Sequence, residues 1–309
     1  MVAGGEHGEA GNGEPTGHDV ADTFRALPGT LYVVATPLGN LRDLTLRALD
    51  VLATASVIAA EDTRVTSVLL RRYGIPTQAI SLHAHNESAR VATLLAMLEA
   101  GKSVALVSDA GTPAISDPGA RLVRAVGDAG YAVVPLPGPS ALAAAVSAAG
   151  LDAEAFAFLG FLPQKAKSRR ELLAAFAGVP AAIVIYEAPH RVRATATDLA
   201  VALGADRTLV VARELTKTFE TITRIALGDA DAWFAADSNR ERGEFVLIVD
   251  VQPAAQHSAE EGLTADAERW LVALLDELPP ARAARVVAAA TGIKREVIYA
   301  RALALKPPG

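Results

Sequence analysis

The 309-residue chain contains no cysteine. Disulfides and thiolate metal sites are thereby excluded, and a reducing compartment is the natural expectation. Aromatic residues are scarce at 5% while hydrophobic residues reach 51%, so the core has to be packed from aliphatic side chains and alanine. No apolar run approaches the roughly 20 residues that cross a bilayer. The first residues show neither the basic start nor the apolar stretch of a secretory signal, and the reading expects a cytoplasmic protein without a membrane partner. A G-x-G-x-x-G turn and a Walker loop are both missing, so a dinucleotide or P-loop phosphate cradle is not indicated. His83 and His85 lack a third partner at ligand spacing, and no metal site is expected.

What charge there is, is segregated. The net of −6 hides an acidic start, residues 1–29, with five acids against Arg25. Residues 163–224 carry ten Lys or Arg against six acids, and 262–309 carry seven against five. A locally basic face can meet phosphates despite an acidic total. Residues 1–29 read as a disordered acidic tail without apolar periodicity.

Order begins at Thr30. Short apolar runs end in turn chemistry and are followed by helical patterns: 31–35, 56–60, 78–81, 103–107 and 132–135 predict strands, with helices between them. That alternation predicts an α/β lobe over 30–150 with a largely parallel sheet. A second α/β lobe spans 151–250, with strands near 156–161, 181–186, 207–213, 219–226 and 244–250. The two strands within 207–226 leave no room for a crossover helix, so they are expected to pair antiparallel. A polar linker, 251–262, precedes short helices over 263–306.

Ligands of open α/β sheets bind beyond the carboxyl ends of the strands, and the unusual segments lie there. Ser108-Asp109-Ala110-Gly111-Thr112-Pro113-Ala114-Ile115-Ser116-Asp117-Pro118-Gly119 is too rich in Gly, Pro and polar residues for a plain turn. Its glycines allow main-chain groups close to a ligand. Pro137-Gly138-Pro139-Ser140-Ala141 reads as a helix start, with Ser140 either capping or touching a ligand. Thr36-Pro37-Leu38-Gly39-Asn40 ends the first strand. Tyr186-Glu187-Ala188-Pro189-His190-Arg191 and Arg213-Glu214-Leu215-Thr216-Lys217 place charged groups at strand ends, as active sites do and as solvated caps or hairpins also do.

Taken in order, ATPLGNLRDLTLRALDVL, AAEDTR, HAHNE, SDAGTPAISDPG, PLPGPSA, GFLP, YEAPHR and RELTKTFE resemble the tetrapyrrole-methylase superfamily. Within it they resemble the small-subunit rRNA (cytidine-2′-O)-methyltransferases. The resemblance runs from about Leu31 to Asp250 and extends to the helical tail. It implies a two-lobed tetrapyrrole-methylase-like α/β fold with a small C-terminal helical domain, usually homodimeric, holding S-adenosyl-L-methionine between the lobes. Motif by motif it places the cofactor against Pro37, Asp109, Ala110, Gly111, Thr112, Ile115, Ser140, Ala141 and Tyr186. It implies 2′-O-methylation of a cytidine near the decoding site, with small-subunit ribosomal RNA, within the subunit, as partner. Asp62, Glu187 and Glu214 are candidate bases, unranked. His190, Arg191, Arg213 and Lys217 are expected to orient RNA phosphates, and residues 263–306 to dock RNA. The alternatives are a methyltransferase for a small tetrapyrrole and a non-catalytic RNA-binding assembly factor.

Overall fold

The computed structural model describes residues 24–251, 263 and 265–305. The first lobe alternates strictly: β1 (Thr30–Val34), α1 (Leu46–Thr54), β2 (Val57–Ala60), α2 (Thr63–Arg72), β3 (Ala79–Ser81), α3 (Glu87–Glu99), β4 (Val104–Val107), α4 (Ala120–Asp128), β5 (Ala132–Leu136) and α5 (Ala141–Ala149). The strands form one sheet in the order β3-β2-β4-β1-β5, with every pairing parallel. Each position of β2 and β4 is buried, as a parallel sheet covered on both faces requires. The two-residue period of a strand sorts the side chains between two cores. Tyr32, Val34, Ile58 and Ala60 join Val51 and Leu52 of α1 and Leu69 and Leu70 of α2. Leu31, Val57, Ala59 and Leu106 join Leu94 and Leu98 of α3 and Leu122 and Val126 of α4.

The second lobe contains β6 (Phe156–Phe161), α6 (Ala166–Phe176), β7 (Ala182–Glu187), α7 (Val192–Leu203), β8 (Thr208–Arg213), β9 (Thr221–Ala226), α8 (Ala230–Ala235) and β10 (Phe245–Val249). Its sheet runs β6-β7-β10-β8-β9. Only β6 and β7 pair parallel; β10 lies between β7 and β8 antiparallel to both, and β8–β9 is the expected antiparallel pair. Helices α6, α7 and α8 cover one face of this sheet. The other face is covered by α5, whose Ala145 and Ala149 pack with Ala182, Val184, Val210 and Ile248. Although the sequence reading puts α5 at the end of the first lobe, its packing belongs to the second. Two prolines, Pro137 and Pro139, stand between β5 and α5, and with φ confined there the chain crosses from one sheet to the other.

The acidic start is shorter than the sequence suggests. Phe24 meets the Tyr32 ring edge-on at 6.0 Å, and the Phe24, Ala26 and Leu27 amides donate to Asp50, Thr54 and Tyr32. Phe24 is the apolar anchor that a charge count overlooks. The rest of that tail, 1–23, and the linker residues 252–262 lie outside the described residues. At the other end α9 (Ala265–Glu277), α10 (Pro280–Thr291) and α11 (Arg295–Leu305) share a core of their own, including Leu271, Leu275, Val287 and Ile298.

Candidate active site

The strand order sets the carboxyl ends of β2, β4, β1 and β5 side by side, and the sequence motifs stand on those ends. Thr36, beyond β1, and Gly111, beyond β4, exchange two main-chain hydrogen bonds of 2.9 and 2.8 Å. The hydroxyls brace this arrangement: Thr36 Oγ1 donates to Ser108 O at 3.0 Å, Ser108 Oγ to Gly111 O at 3.3 Å and Thr112 Oγ1 to Pro139 O at 2.9 Å. Gly111 has φ +77°, and a Cβ there would sit 3.2 Å from Leu38 Cδ2. Ala114 and Ser116 adopt φ 65° and 68° without being glycine. Each such residue costs on the order of 1–3 kcal/mol and persists only where its surroundings hold it. One holder is Gly160, at the irregularity in β6, where a Cβ would meet Ser116 Oγ at 2.9 Å.

The second sheet supplies the opposite wall. Its register pairs Phe245 of β10 with both Glu187 of β7 and Arg213 of β8, so YEAPHR and RELTK lie at one sheet end. Between the sheets is a cleft of about 440 Å³, lined by Leu38, Glu61, Asp109, Ala110, Gly111, Thr112, Ile115, Asp117, Ser140 and Ala141 on one side. Phe161, Tyr186, Glu187, Ala188, Pro189, Ala212, Leu215, Glu244, Phe245 and Val246 line the other. Tyr186 joins the walls: its hydroxyl accepts from the Leu142 amide at 3.0 Å, and its ring lies edge-on to Phe158 and Phe161. Apolar rings and main-chain groups dominate, as in small-molecule sites.

The polar part of the cleft is acidic. Burial raises the Asp117 carboxyl to about 6, with the neighbouring charges of Glu61 and Asp109 adding to the effect. Glu61 and Asp109 are also raised, first by burial. These two carboxylates are laced to the backbone, Glu61 accepting from the Asp109 amide and Asp109 from the Asp62 amide. Among the described residues no group of three His, Cys, Asp or Glu is placed to hold a metal ion.

Eight of the nine residues expected at the cofactor line this cleft; Pro37 does not, and Leu38 beside it does. The expected bases fare differently. Asp62 caps α2 and pairs with Arg64 at 2.6 Å, which holds its carboxyl near 2, and it is not part of the lining. Glu187 reaches the cleft wall, but its buried carboxylate accepts from Thr195 at 2.5 Å, from Arg191 and from the Ala188 amide. Glu214 accepts from Lys217 and from the Glu244 amide, both at 2.9 Å. None of the three offers a free lone pair to the cleft.

Three of the four cations expected on RNA are likewise committed inside the protein. Arg191 donates to Leu162 O and Glu187. Arg213 donates to Phe219 O, Asn239 O, Arg242 O and Thr221 Oγ1. Lys217 bridges Glu214 and Glu244 while its stem packs on Gly39, and Thr216 Oγ1 accepts from the Asn40 amide. These side chains shape the site and tie the RELTK loop to the first lobe. His190 is exposed, next to the lining residue Pro189. Sequence reasoning missed Asp117 and Glu61, both inside quoted motifs, because a strand-end motif does not say which of its carboxylates faces inward. It also missed Glu87 of HAHNE, whose buried carboxylate receives the amides of Gly119, Arg121 and Leu122.

Comparison with known proteins agrees with this geometry. Residues 30–231 match the family described as Tetrapyrrole (Corrin/Porphyrin) Methylases, and residues 261–306 match the RsmI C-terminal HTH domain. A protein of Escherichia coli O157:H7 named ribosomal RNA small subunit methyltransferase I is 48% identical over 93% of this chain and 98% of its own length. A protein of the same name from Mesorhizobium japonicum is 46% identical over 91% of this chain and 94% of its own. Among solved structures, a cobalt precorrin-4 methyltransferase superposes with a TM-score of 0.55 at 20% identity, covering 72% of this chain and 95% of that one. The parallel first sheet, the mixed second sheet and the cleft between them are thus the methylase architecture, and the chain belongs to the tetrapyrrole methylase family, in its branch of small-subunit ribosomal RNA methyltransferases I.

Proposed function

We propose that this protein transfers a methyl group to the 2′-hydroxyl of a cytidine ribose near the decoding site of small-subunit ribosomal RNA. The coarser statement, methylation of that RNA, rests on the relatives named for it, which match over nine-tenths of the chain. The finer one rests on the resemblance carried by SDAGTPAISDPG, YEAPHR and RELTKTFE, and the cleft walled by both sheets, acidic at its polar side, supplies a place for the transfer. S-adenosyl-L-methionine, the family's methyl donor, fits it. The glycine-bearing backbone of Ala110–Thr112 admits close main-chain approach, the rings and aliphatic groups suit an adenosine, and Glu61 and Asp109 suit a cation.

When bound, that cofactor supplies an already electrophilic methyl on a sulfonium. The protein's work is then alignment, and positioning of a nucleophile alone is worth several kcal/mol of barrier. Leu38, Gly111 and Ile115 stand on one wall and Tyr186 with Leu215 on the other, an apolar surround for the transfer. A target nucleotide has to leave its stack to reach such a cleft. The exposed His190 at the rim and the α9–α11 domain meet the surrounding RNA in this reading. A homodimer in the cytoplasm belongs to the same proposal; among the described residues no helix is long and apolar enough to cross a membrane.

The test is methyl transfer from labelled cofactor to small subunits taken from cells lacking this protein, followed by mapping of ribose methylation. One alkali-resistant linkage at a single cytidine is the expected result. A methyl on a base, or transfer only to free tetrapyrrole, overturns the proposal.

A further inference from the structure

Removing a proton from a ribose hydroxyl as it attacks accelerates the transfer, and the acceptor has to stand in the cleft with an available lone pair. Asp62 and Glu214 are outside the lining, and Glu187 is saturated by Thr195, Arg191 and its own neighbour's amide. Glu244, also at the wall, is paired with Lys217. Glu61 and Asp109 each hold a backbone amide across the junction of β2 and β4. Asp117 differs from all of these. It is half-buried in the lining, two residues beyond Ile115 and directly after the left-handed Ser116. Its segment passes close to Gly160 at Ser116 and is held by Glu87 at the Gly119 amide. The groups facing it are Glu61 from beyond β2, Asp109 from the end of β4 and Tyr186 from β7, none of them a cation, and the Ser108 hydroxyl, which hydrogen-bonds its carboxylate and leaves it lone pairs toward the cleft.

We infer that Asp117 is the catalytic base of this cleft, the group that takes the proton from the attacking 2′-hydroxyl. The inference rests on the ribose-methylation reading above. The O–H bond breaks toward the Asp117 carboxylate while the oxygen lone pair forms the new O–CH3 bond. The C–S bonding pair returns to sulfur, leaving the neutral thioether S-adenosylhomocysteine, and the proton departs from the carboxyl group to solvent. Half-burial, with its acidic neighbours adding, keeps the carboxyl at about 6, close to working pH, where a general base combines ionisation with proton affinity.

The experiment uses the full chain and its Asp117→Asn variant with small subunits as RNA substrate. The rate of transfer is expected to fall about 100-fold or more, while calorimetric affinities for S-adenosylmethionine and S-adenosylhomocysteine stay within about twofold of the parent. In the parent, kcat/KM for the cofactor, which reports the form not yet carrying it, should rise with a limb centred at about 6, and the variant should lose that limb. Transfer by Asp117→Asn at the parent rate overturns the inference. So does a selective loss of S-adenosylmethionine over S-adenosylhomocysteine affinity, the mark of a carboxylate that only balances the sulfonium charge. Should the variant not fold, the parent decides alone: a profile flat from about pH 5 to about pH 7 overturns the assignment. A parent that methylates no ribose at all defeats the functional reading instead, which separates the two failures.

Discussion

The carboxylate of Glu87 accepts a hydrogen bond from the main-chain amide of Gly119 at 3.1 Å, 32 residues further along the chain. It also receives the Arg121 amide at 3.0 Å and the Leu122 amide at 3.4 Å. Glycine cannot cap α4 with a side chain, so α3 supplies the cap from outside, with a negative charge at a helix N-terminus. Glu87→Ala leaves those buried amides unpaired and should cost about 1.5–3 kcal/mol in urea denaturation. Because Gly119 closes the 108–119 loop, cofactor affinity should fall with it, and Glu87→Gln should recover much of both. An alanine variant with parental stability and affinity removes this role.

Gly111 tests the opposite wall of the same loop. Its φ of +77° disfavours any side chain, and its Cβ position already touches Leu38. Gly111→Val is expected to lower cofactor affinity by about tenfold or more, since the strain of on the order of 1–3 kcal/mol can be relieved only by moving the loop. Calorimetry on the folded variant measures this directly, and unchanged affinity would mean that the loop does not touch the cofactor.

Arg213 donates to three carbonyls and one hydroxyl of its own lobe. Arg213→Ala should therefore destabilise the fold by about 1.5–3 kcal/mol. Cations on phosphates steepen the dependence of log affinity on log salt by about 0.9 per contact in duplex nucleic acid. RNA titrations at several salt concentrations should give the same slope for Arg213→Ala and the parent. A slope shallower by about one places this guanidinium on phosphate after all.

Asp117 has a thermodynamic signature independent of catalysis. Burial holds its carboxyl at about 6 in the folded protein, against 3.8 for the free group. Between those values the folded state binds the extra proton, so stability falls as pH rises, and above the folded value the full penalty is present. Asp117→Asn removes the penalty. The cofactor-free variant should melt above the parent near pH 7.5, and the gain should shrink below about pH 4. Equal melting temperatures at both pH values would contradict the burial that shifts this group.

The helical tail has a core independent of both sheets. A chain ending at Val251 should bind S-adenosylmethionine with parental affinity yet methylate small subunits poorly, because α9–α11 contributes docking rather than chemistry. Methylation at the full rate by the shortened chain removes the docking role, and loss of cofactor binding in a folded shortened chain assigns the tail to the active site.

Local chemistry determined a good deal of this protein from sequence alone. Apolar runs punctuated by Gly and Pro marked the strands of the first sheet, and the missing crossover helix between β8 and β9 announced their antiparallel pairing. The 108–119 and 137–141 segments stood out because glycine and proline constrain backbone wherever they occur. Only the tertiary structure decided what each strand-end side chain meets. Thr195 and Arg191 close around the Glu187 carboxylate, and Asn239 and Arg242 bring their carbonyls to Arg213. Helix α5 passed for part of the first lobe until its alanines were found on the second sheet. Asn40 and Thr216 bond across 176 residues. A motif reports local backbone preference, whereas the charge state and reach of a side chain depend on groups that folding brings in from distant sequence. That is why the loops of the cleft stand out in the sequence, while the environment of each of its carboxylates emerges only from its neighbours.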